Sequence, residues 1–359
     1  MIEYDISKFE ELVKEGMLRK SEKGDLILYN YTDACTFARN WNEYTLAARG
    51  LILEKETGKV IAKPFSKFFN LNEREDTQLG NLPKCNYTVS EKADGSLGII
   101  FHHDGKWQVA TRGSFYSEQA VKALEILGKY ELSWLPKYIT LLVEIIYPSN
   151  KIIVNYGQEE KLVLLGAYDR ETGNEFEDHI VEEFSDRTKM PKAKAYRYTI
   201  PQMIELQKTL PKDEEGFVVR YDNGLRVKIK GDEYMRIAKI ISHLSPISLW
   251  ESMVKGKVNK EYLAELPDEL RADYEPTVQI LEKQYEDMWV SIPGIIDDLP
   301  SDIFDLESPW RPKLGRYLAQ NEVKHTGAIF PYLLKQLDVV DKYIMKQIRP
   351  DGNVLRSIT

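Results

Sequence analysis

The period of the hydrophobic pattern changes near residue 232. That change limits the chain to a mixed region followed by a helical one. Before it, short β-branched and aromatic runs cover residues 26–31, 50–53, 96–102, 107–111, 141–146, 162–168 and 216–221. Each is of strand length and is bounded by Gly, Asp, Asn or Pro. Helical patterns at residues 6–15 and 117–130 fall among them. The reading is α+β, with mostly antiparallel strands. After residue 232, Tyr234, Ile237, Ile240, Ile241 and Leu244 recur at helical spacing, and further helical patterns cover 246–254, 260–270, 277–292 and 330–348. A first domain over 1–235 and an all-helical C-terminal domain over 236–359 are expected, with no internal repeat.

A chain of 359 residues can bury a core of that kind without a disulfide or metal staple. Its two cysteines, Cys35 and Cys85, form no metal-type spacing and suit a reducing cytosol. The acidic start carries neither the basic front nor the apolar run of a leader, and no apolar run is long enough to span a bilayer. A cytoplasmic protein without membrane contact is expected. The formal net charge of −8 argues against a protein that coats nucleic acid non-specifically. It leaves room for a local basic groove on an acidic body.

The most informative segment is Glu91-Lys92-Ala93-Asp94-Gly95-Ser96. Lys92 lies between an apparent strand at 87–90 and a turn made by Asp94-Gly95. A deprotonated lysine is a capable nucleophile, and nearby cations would favour that form. Taken alone, the segment also reads as a surface lysine before a turn.

A second segment shifts the balance. Glu215-Gly216-Phe217-Val218-Val219-Arg220-Tyr221-Asp222 is followed by Asn223-Gly224 and then Leu225-Arg226-Val227-Lys228-Ile229-Lys230. Asn-Gly signals a two-residue hairpin loop. That loop would pair Asp222 with Leu225, Val219 with Lys228 and Phe217 with Lys230. Val218, Leu225, Val227 and Ile229 would then share a core face, and Glu215, Phe217, Arg226, Lys228 and Lys230 the other. Such a polar face suits one wall of a nucleotide site, its cations matching phosphate and its carboxylate a divalent metal. Without Lys92 the same face would read as a solvated charge stripe.

Glu144 sits inside an apolar strand, so it faces either a polar cavity or solvent. Arg49 enters a strand, Lys67 precedes Phe68 and Phe69, and Arg112 precedes Gly113 after the hairpin turn Asp104-Gly105. There is no phosphate-loop or Rossmann glycine pattern and no zinc-protease motif. His102 and His103 are neighbours on a strand and read as structural or surface residues.

In this order the segments resemble the covalent nucleotidyltransferases, the ligases and capping enzymes. Lys92-Ala93-Asp94-Gly95 resembles their motif I, Glu144 motif III, residues 162–169 motif IIIa, Glu215-Gly216-Phe217-Val218 motif IV and Lys228-Ile229-Lys230 motif V. Arg49-Gly50, Lys67-Phe68-Phe69-Asn70-Leu71-Asn72-Glu73, Gly113-Ser114 with Ser117-Glu118-Gln119-Ala120, and Pro148-Ser149-Asn150-Lys151 are similar to the bacteriophage-type RNA ligase 1 family.

The resemblance implies a nucleotidyltransferase (ATP-grasp-like ligase) domain and an ATP-dependent RNA ligase. Lys92 would attack the α-phosphate of ATP. Arg49 and Lys67 would hold the β- and γ-phosphates, and Arg112, also taken as ATP-binding, stands where the best-known member has lysine. Glu144 would contact the ribose, Glu215 a metal, and Lys228 and Lys230 the α-phosphate, with Tyr168 near adenine. The implied cofactors are ATP and Mg2+, with Mn2+ as a substitute. The implied partner is RNA with 5′-phosphate and 3′-hydroxyl ends, single-stranded or like broken transfer RNA, and the chain is expected to act as a monomer.

DNA ligases and capping enzymes share these motifs but continue into an OB-fold after motif V. The helical spacing after Lys230 argues against both. An enzyme that stops at 5′-adenylated RNA, or an inactive nucleic-acid-binding relative, remains an alternative at this level.

Overall fold

The computed structural model describes residues 2–241, 244–256, 268–304 and 309–351. The chain divides into two compact units, Met1–Arg236 and Ile237–Thr359.

The first unit holds three sheets. One is ordered β1-β2-β3-β4, from Leu18–Lys23, Leu26–Tyr31, Arg49–Glu54 and Val60–Ala62. Helix α1, Ile6–Lys14, packs Phe9 onto it against Tyr29, the rings stacked 4.5 Å apart. Short helices α2 (Asp33–Ala38) and α3 (Glu43–Ala47) connect β2 to β3.

The second sheet is ordered β10-β9-β7-β8, from Lys161–Asp169, Ile139–Ile146, Ser96–His103 and Lys106–Thr111. Its faces are apolar on both sides. Helices α4 (Glu118–Leu127) and α5 (Asp178–Thr188) cover one, and residues of β2, β3 and β4 pack on the other. Ser117 caps α4 by accepting from the Ala120 amide at 3.2 Å, which ends the preceding loop.

The third sheet is β11-β6-β12-β13-β5: Ala195–Tyr196, Tyr87–Glu91, Gly216–Tyr221, Arg226–Lys230 and Phe69–Asn70. Helix α6, Ile200–Gln207, packs on its apolar face. Every strand pair is antiparallel except β13 with β5. This is the α+β arrangement expected from the sequence.

The β12–β13 hairpin differs from the expected register by one residue. Phe217 pairs with Ile229, Val218 with Lys228, Val219 with Val227 and Arg220 with Arg226. The loop therefore has three residues, Asp222 to Gly224. Gly224 has φ 87°, and its amide donates to the Tyr221 carbonyl at 2.9 Å. The Asp222 amide donates instead to the Asn86 carbonyl at 3.0 Å, which extends pairing with β6. A one-residue slip exchanges the faces of one strand. Phe217, Val219 and Tyr221 thus join Val227 and Ile229 in the core, while Val218 lies beside Lys228. The core decides it: three large apolar side chains are buried in this register, and Phe217 would be exposed to the polar side in the other.

Helix α7 (Asp232–Ile241) begins in the first unit and ends in the second, where α8 (Pro246–Val254), α9 (Asp268–Asp297), α10 (Trp310–Gln320), α11 (Thr326–Leu333) and α12 (Leu337–Gln347) follow. The helix expected over 277–292 lies inside α9. Part of the one expected over 260–270 lies outside the described residues. The pattern over 330–348 is two helices, because Lys335 takes a left-handed φ of 59° and ends α11. Leu281, Ile292, Ala328, Val340 and Ile344 are among its buried residues. Among the described residues no helix is long and apolar enough to cross a membrane.

Candidate active site

A cavity of about 690 Å3 opens between the second and third sheets of the first unit. Strand β6 leads into it, and Lys92 is the first residue after that strand. The Lys92 amide donates to the Gly216 carbonyl at 2.8 Å, which fixes its backbone against the start of β12. Its Nζ lies 2.7 Å from Glu215 Oε2, and the other oxygen of the same buried carboxylate lies 2.9 Å from Lys230 Nζ. One acid thus bridges two lysines.

Glu215 reaches that side because of its neighbour. Gly216 has φ 137°, and a Cβ there would come within 2.1 Å of the Ile229 carbonyl oxygen. No other residue fits this close approach, and the turn it permits breaks the alternation of side chains just before β12 begins.

Two further cations share the wall. Lys228 faces the cavity from β13, with Nζ 5.1 Å from the Phe68 ring centre. Burial pushes its pKa down to about 7, assisted by Lys67, Lys92, Arg49 and Lys230. Arg49 enters from the start of β3, its guanidinium 5.3 Å from the Phe68 ring centre. Its Nη1 is buried with no hydrogen-bond partner among the described residues. A buried donor without an acceptor is costly unless something anionic arrives.

Glu144 lines the cavity from β9, so it faces a polar cavity rather than solvent. Burial raises its pKa to about 7. Lys92 and Arg49 oppose that rise, and Glu215 and Asp94 add to it.

Lys92, Arg49, Glu144, Lys228 and Lys230 therefore meet in one place, with Glu215 bonded to two of them. Lys67 and Arg112 adjoin this group without lining the cavity. The Lys67 amine lies 5.3, 5.4 and 5.1 Å from the ring centres of Tyr31, Trp41 and Phe69. Arg112 lies 5.4 Å from the Tyr31 ring centre, and its Nη1 is 3.4 Å from the Tyr31 hydroxyl. Tyr168 does not line the cavity. It is buried edge-on to Phe65, its hydroxyl donating to Glu175 at 3.0 Å.

Sequence reasoning missed what holds the lysine loop in place. Asp94 reads as a turn residue, yet its carboxylate is buried and accepts three hydrogen bonds. The amides of Ile153 and Val154 donate to Oδ2 at 2.9 and 2.8 Å, and the Tyr234 hydroxyl donates to Oδ1 at 2.8 Å. Tyr156 adds a fourth tie by accepting from the Asp94 amide at 3.0 Å. Tyr234 reads only as an apolar position of a helix. Nothing local links it to a residue 140 positions earlier.

At the other end of the cavity, Glu175 holds Arg226 and lies 3.2 Å from Arg220, while Asp178 holds Lys192 at 2.7 Å. Glu175 lies in a stretch without a motif. His102 and His103 stand away from the cavity: His102 packs edge-on to Trp107 and His103 lies 3.1 Å from Asp25.

A lysine nucleophile, a shared carboxylate and cations that form no ion pair among the described residues are suited to hold a polyphosphate and transfer part of it. Comparison with known proteins agrees with that chemistry. A family model described as RNA ligase, of the phage T4 ligase 1 type, matches residues 47–234. A protein of Autographa californica nuclear polyhedrosis virus named as a bifunctional polynucleotide kinase/RNA ligase is 27% identical over 292 residues, which is 71% of this chain. The chain spans 41% of that relative's length. An RNA ligase of Rhodothermus phage RM378 is 25% identical over 84% of this chain and 82% of its own. A solved archaeal ATP-dependent RNA ligase, form 2, shares the fold at a TM-score of 0.51 and 16% identity, covering 79% of this chain and 80% of that one.

Proposed function

The chain belongs to the bacteriophage-type RNA ligase 1 family, and from that premise we propose that it is an ATP-dependent RNA ligase acting through a covalent adenylate on Lys92. The observation that carries the reading is the one buried carboxylate of Glu215, 2.7 Å from Lys92 and 2.9 Å from Lys230, at the end of the cavity where Arg49 and Lys228 form no ion pair among the described residues.

In the first step Lys92 Nζ forms a bond to the α-phosphorus of ATP. The bond from that phosphorus to the bridging oxygen breaks, and pyrophosphate leaves. The attacking amine must shed a proton, and Glu215 is the acceptor within reach. Arg49, through its unpartnered Nη1, and Lys228 bind phosphate oxygens. Lys67 and Arg112 extend the positive corner toward the β- and γ-phosphates. Glu144 orients the ribose. In the second step a 5′-phosphate oxygen of RNA displaces Lys92 and takes the adenylyl group. In the third, a 3′-hydroxyl attacks the activated 5′-phosphorus, joins the ends and releases AMP. Positioning and charge stabilisation supply most of the acceleration.

A divalent cation suits this site. One or two carboxylates together with substrate phosphates are the usual magnesium environment; Glu144 lines the cavity, and Glu215 stands behind Lys92 and Lys230, which line it. Glu215 would hold the ion with the phosphates, and when bound the ion would offset charge on the triphosphate. Magnesium is the ion proposed, with manganese as a substitute. A monomer acting on single-stranded or broken transfer-RNA-like ends in the cytoplasm is part of the same proposal, as is substrate choice by residues 236–359.

The test is incubation with α-labelled ATP and magnesium, followed by a denaturing gel. A labelled protein band that needs Lys92, prefers ATP to GTP and passes its label to 5′-phosphorylated RNA supports the reading. Folded, AMP-free protein that takes no label overturns it. Label that reaches RNA without joining ends would make the chain an RNA 5′-adenylating enzyme.

A further inference from the structure

A second positive surface lies beside the cavity, and the reading above assigns it nothing. Two sheets of the first unit present edge strands to each other, β1 and β8. On β1 the side chains alternate. Lys20 and Glu22 pair among themselves and with Glu10 and Lys55 on one face. Arg19, Ser21 and Lys23 take the other, which carries no acid.

That face meets β8 and the loop after it. Lys23 Nζ donates to the buried Gln108 at 2.8 Å and stands 6.0 and 5.9 Å from the ring centres of Phe115 and Tyr116. The Arg19 guanidinium covers Gly113, where a Cβ would sit 2.7 Å from its Nη2. Arg112, next to that glycine, continues to Tyr31 and so to Lys67.

Among the described residues no carboxylate forms an ion pair with Arg19, Lys23 or Arg112. At the far end Asp25 and Asp104 flank His103 at 3.1 and 3.5 Å. The positive stretch therefore runs from Lys23 toward the phosphate corner. Beside it the Tyr116 ring touches Phe115 edge-on and is otherwise open to solvent, 63% exposed.

We infer that this valley between β1 and β8 is a track for single-stranded RNA, with Arg19 and Lys23 on its phosphates and Tyr116 stacked on a base, leading the strand to the cavity past Arg112. The inference rests on the ligase reading only for what happens at the end of the track. The occupant follows from charge and shape. Cations spaced along a strand with an exposed ring beside one of them match a backbone of phosphates and a base with a flat face. The surface is also continuous with a site already suited to phosphate.

The test uses the full chain, a short fluorescent 5′-phosphorylated RNA, and anisotropy across a salt series, with covalent AMP labelling measured in parallel. Tyr116→Ala is expected to weaken RNA binding about tenfold, while Tyr116→Phe keeps it. Arg19→Gln is expected to lower the slope of log affinity against log salt by about 0.7, one phosphate contact. Both should label with AMP as the parent does. RNA affinity and salt slope unchanged in both variants would overturn the track and leave the ligase reading standing. Absent labelling in the parent would sink the ligase reading, whereas the anisotropy result would still decide the track.

Discussion

The two ends of the cavity hold similar numbers of charged side chains and use them in opposite ways. At the end near Glu175 the charges close on themselves: one carboxylate takes Arg220 and Arg226, and Asp178 takes Lys192. At the end near Lys92, Arg49 and Lys228 form no ion pair among the described residues, and Lys92 and Lys230 divide one carboxylate between them. The first arrangement is complete as it stands and stiffens the wall. The second is left electrostatically open, and its free energy is recovered only when an anion enters. Charge count alone does not separate a structural cluster from a binding one; the count of missing partners does.

The sharpest way to break this contrast is Lys92→Ala. It should remove covalent labelling, a fall of more than about 10³-fold, with the fold retained by circular dichroism. Glu175→Gln attacks the closed end. It strands two guanidinium groups and should cost about 3 kcal/mol of stability, seen as a lower Tm, while folded protein still labels. The reverse outcome, lost labelling at unchanged Tm, would move Glu175 into the reacting end.

Tyr234→Phe removes one hydrogen bond to the buried Asp94. Self-adenylation should slow about tenfold with the KM for ATP little changed, because the loop is loosened and not the nucleotide contacts. A rise in KM with the rate intact would contradict that role.

The smallest effect concerns Glu144, whose pKa is raised from 4.5 to about 7. A raised carboxyl binds more protons in the folded state, so it lowers stability as pH climbs from 4.5 toward 7 and leaves a constant deficit above. Glu144→Gln should therefore raise the Tm of ligand-free protein by about 2–4 °C at pH 8. The gain should fade on acidification below pH 7. A gain independent of pH would sink the assignment.

Much of this was legible in advance. The runs that alternate with turns became strands, and the Lys92 and Glu215 segments, 123 positions apart, lie within a hydrogen bond of each other. The hairpin register was not legible. Asn223-Gly224 signals a two-residue loop, and only the burial of Phe217 and Tyr221 against β6 and α6 selects three. Asp94 with Tyr234 was not legible either, because periodicity reports which face of an element is buried and says nothing about a distant polar partner. Tyr168 illustrates the same limit: its strand borders the cavity, yet its ring points to Phe65 and Glu175.

The Tyr234 hydroxyl has a practical consequence for dissecting the protein. Helix α7 begins at Asp232, so a truncation at Gly231, placed where the strand pattern ends, would discard the residue that completes the Asp94 anchor. Such a fragment would adenylate itself about tenfold more slowly for want of a single phenol, and the loss would be misassigned to missing RNA recognition. A cut placed after Arg236, where the first compact unit ends, retains the phenol and makes the comparison a fair one.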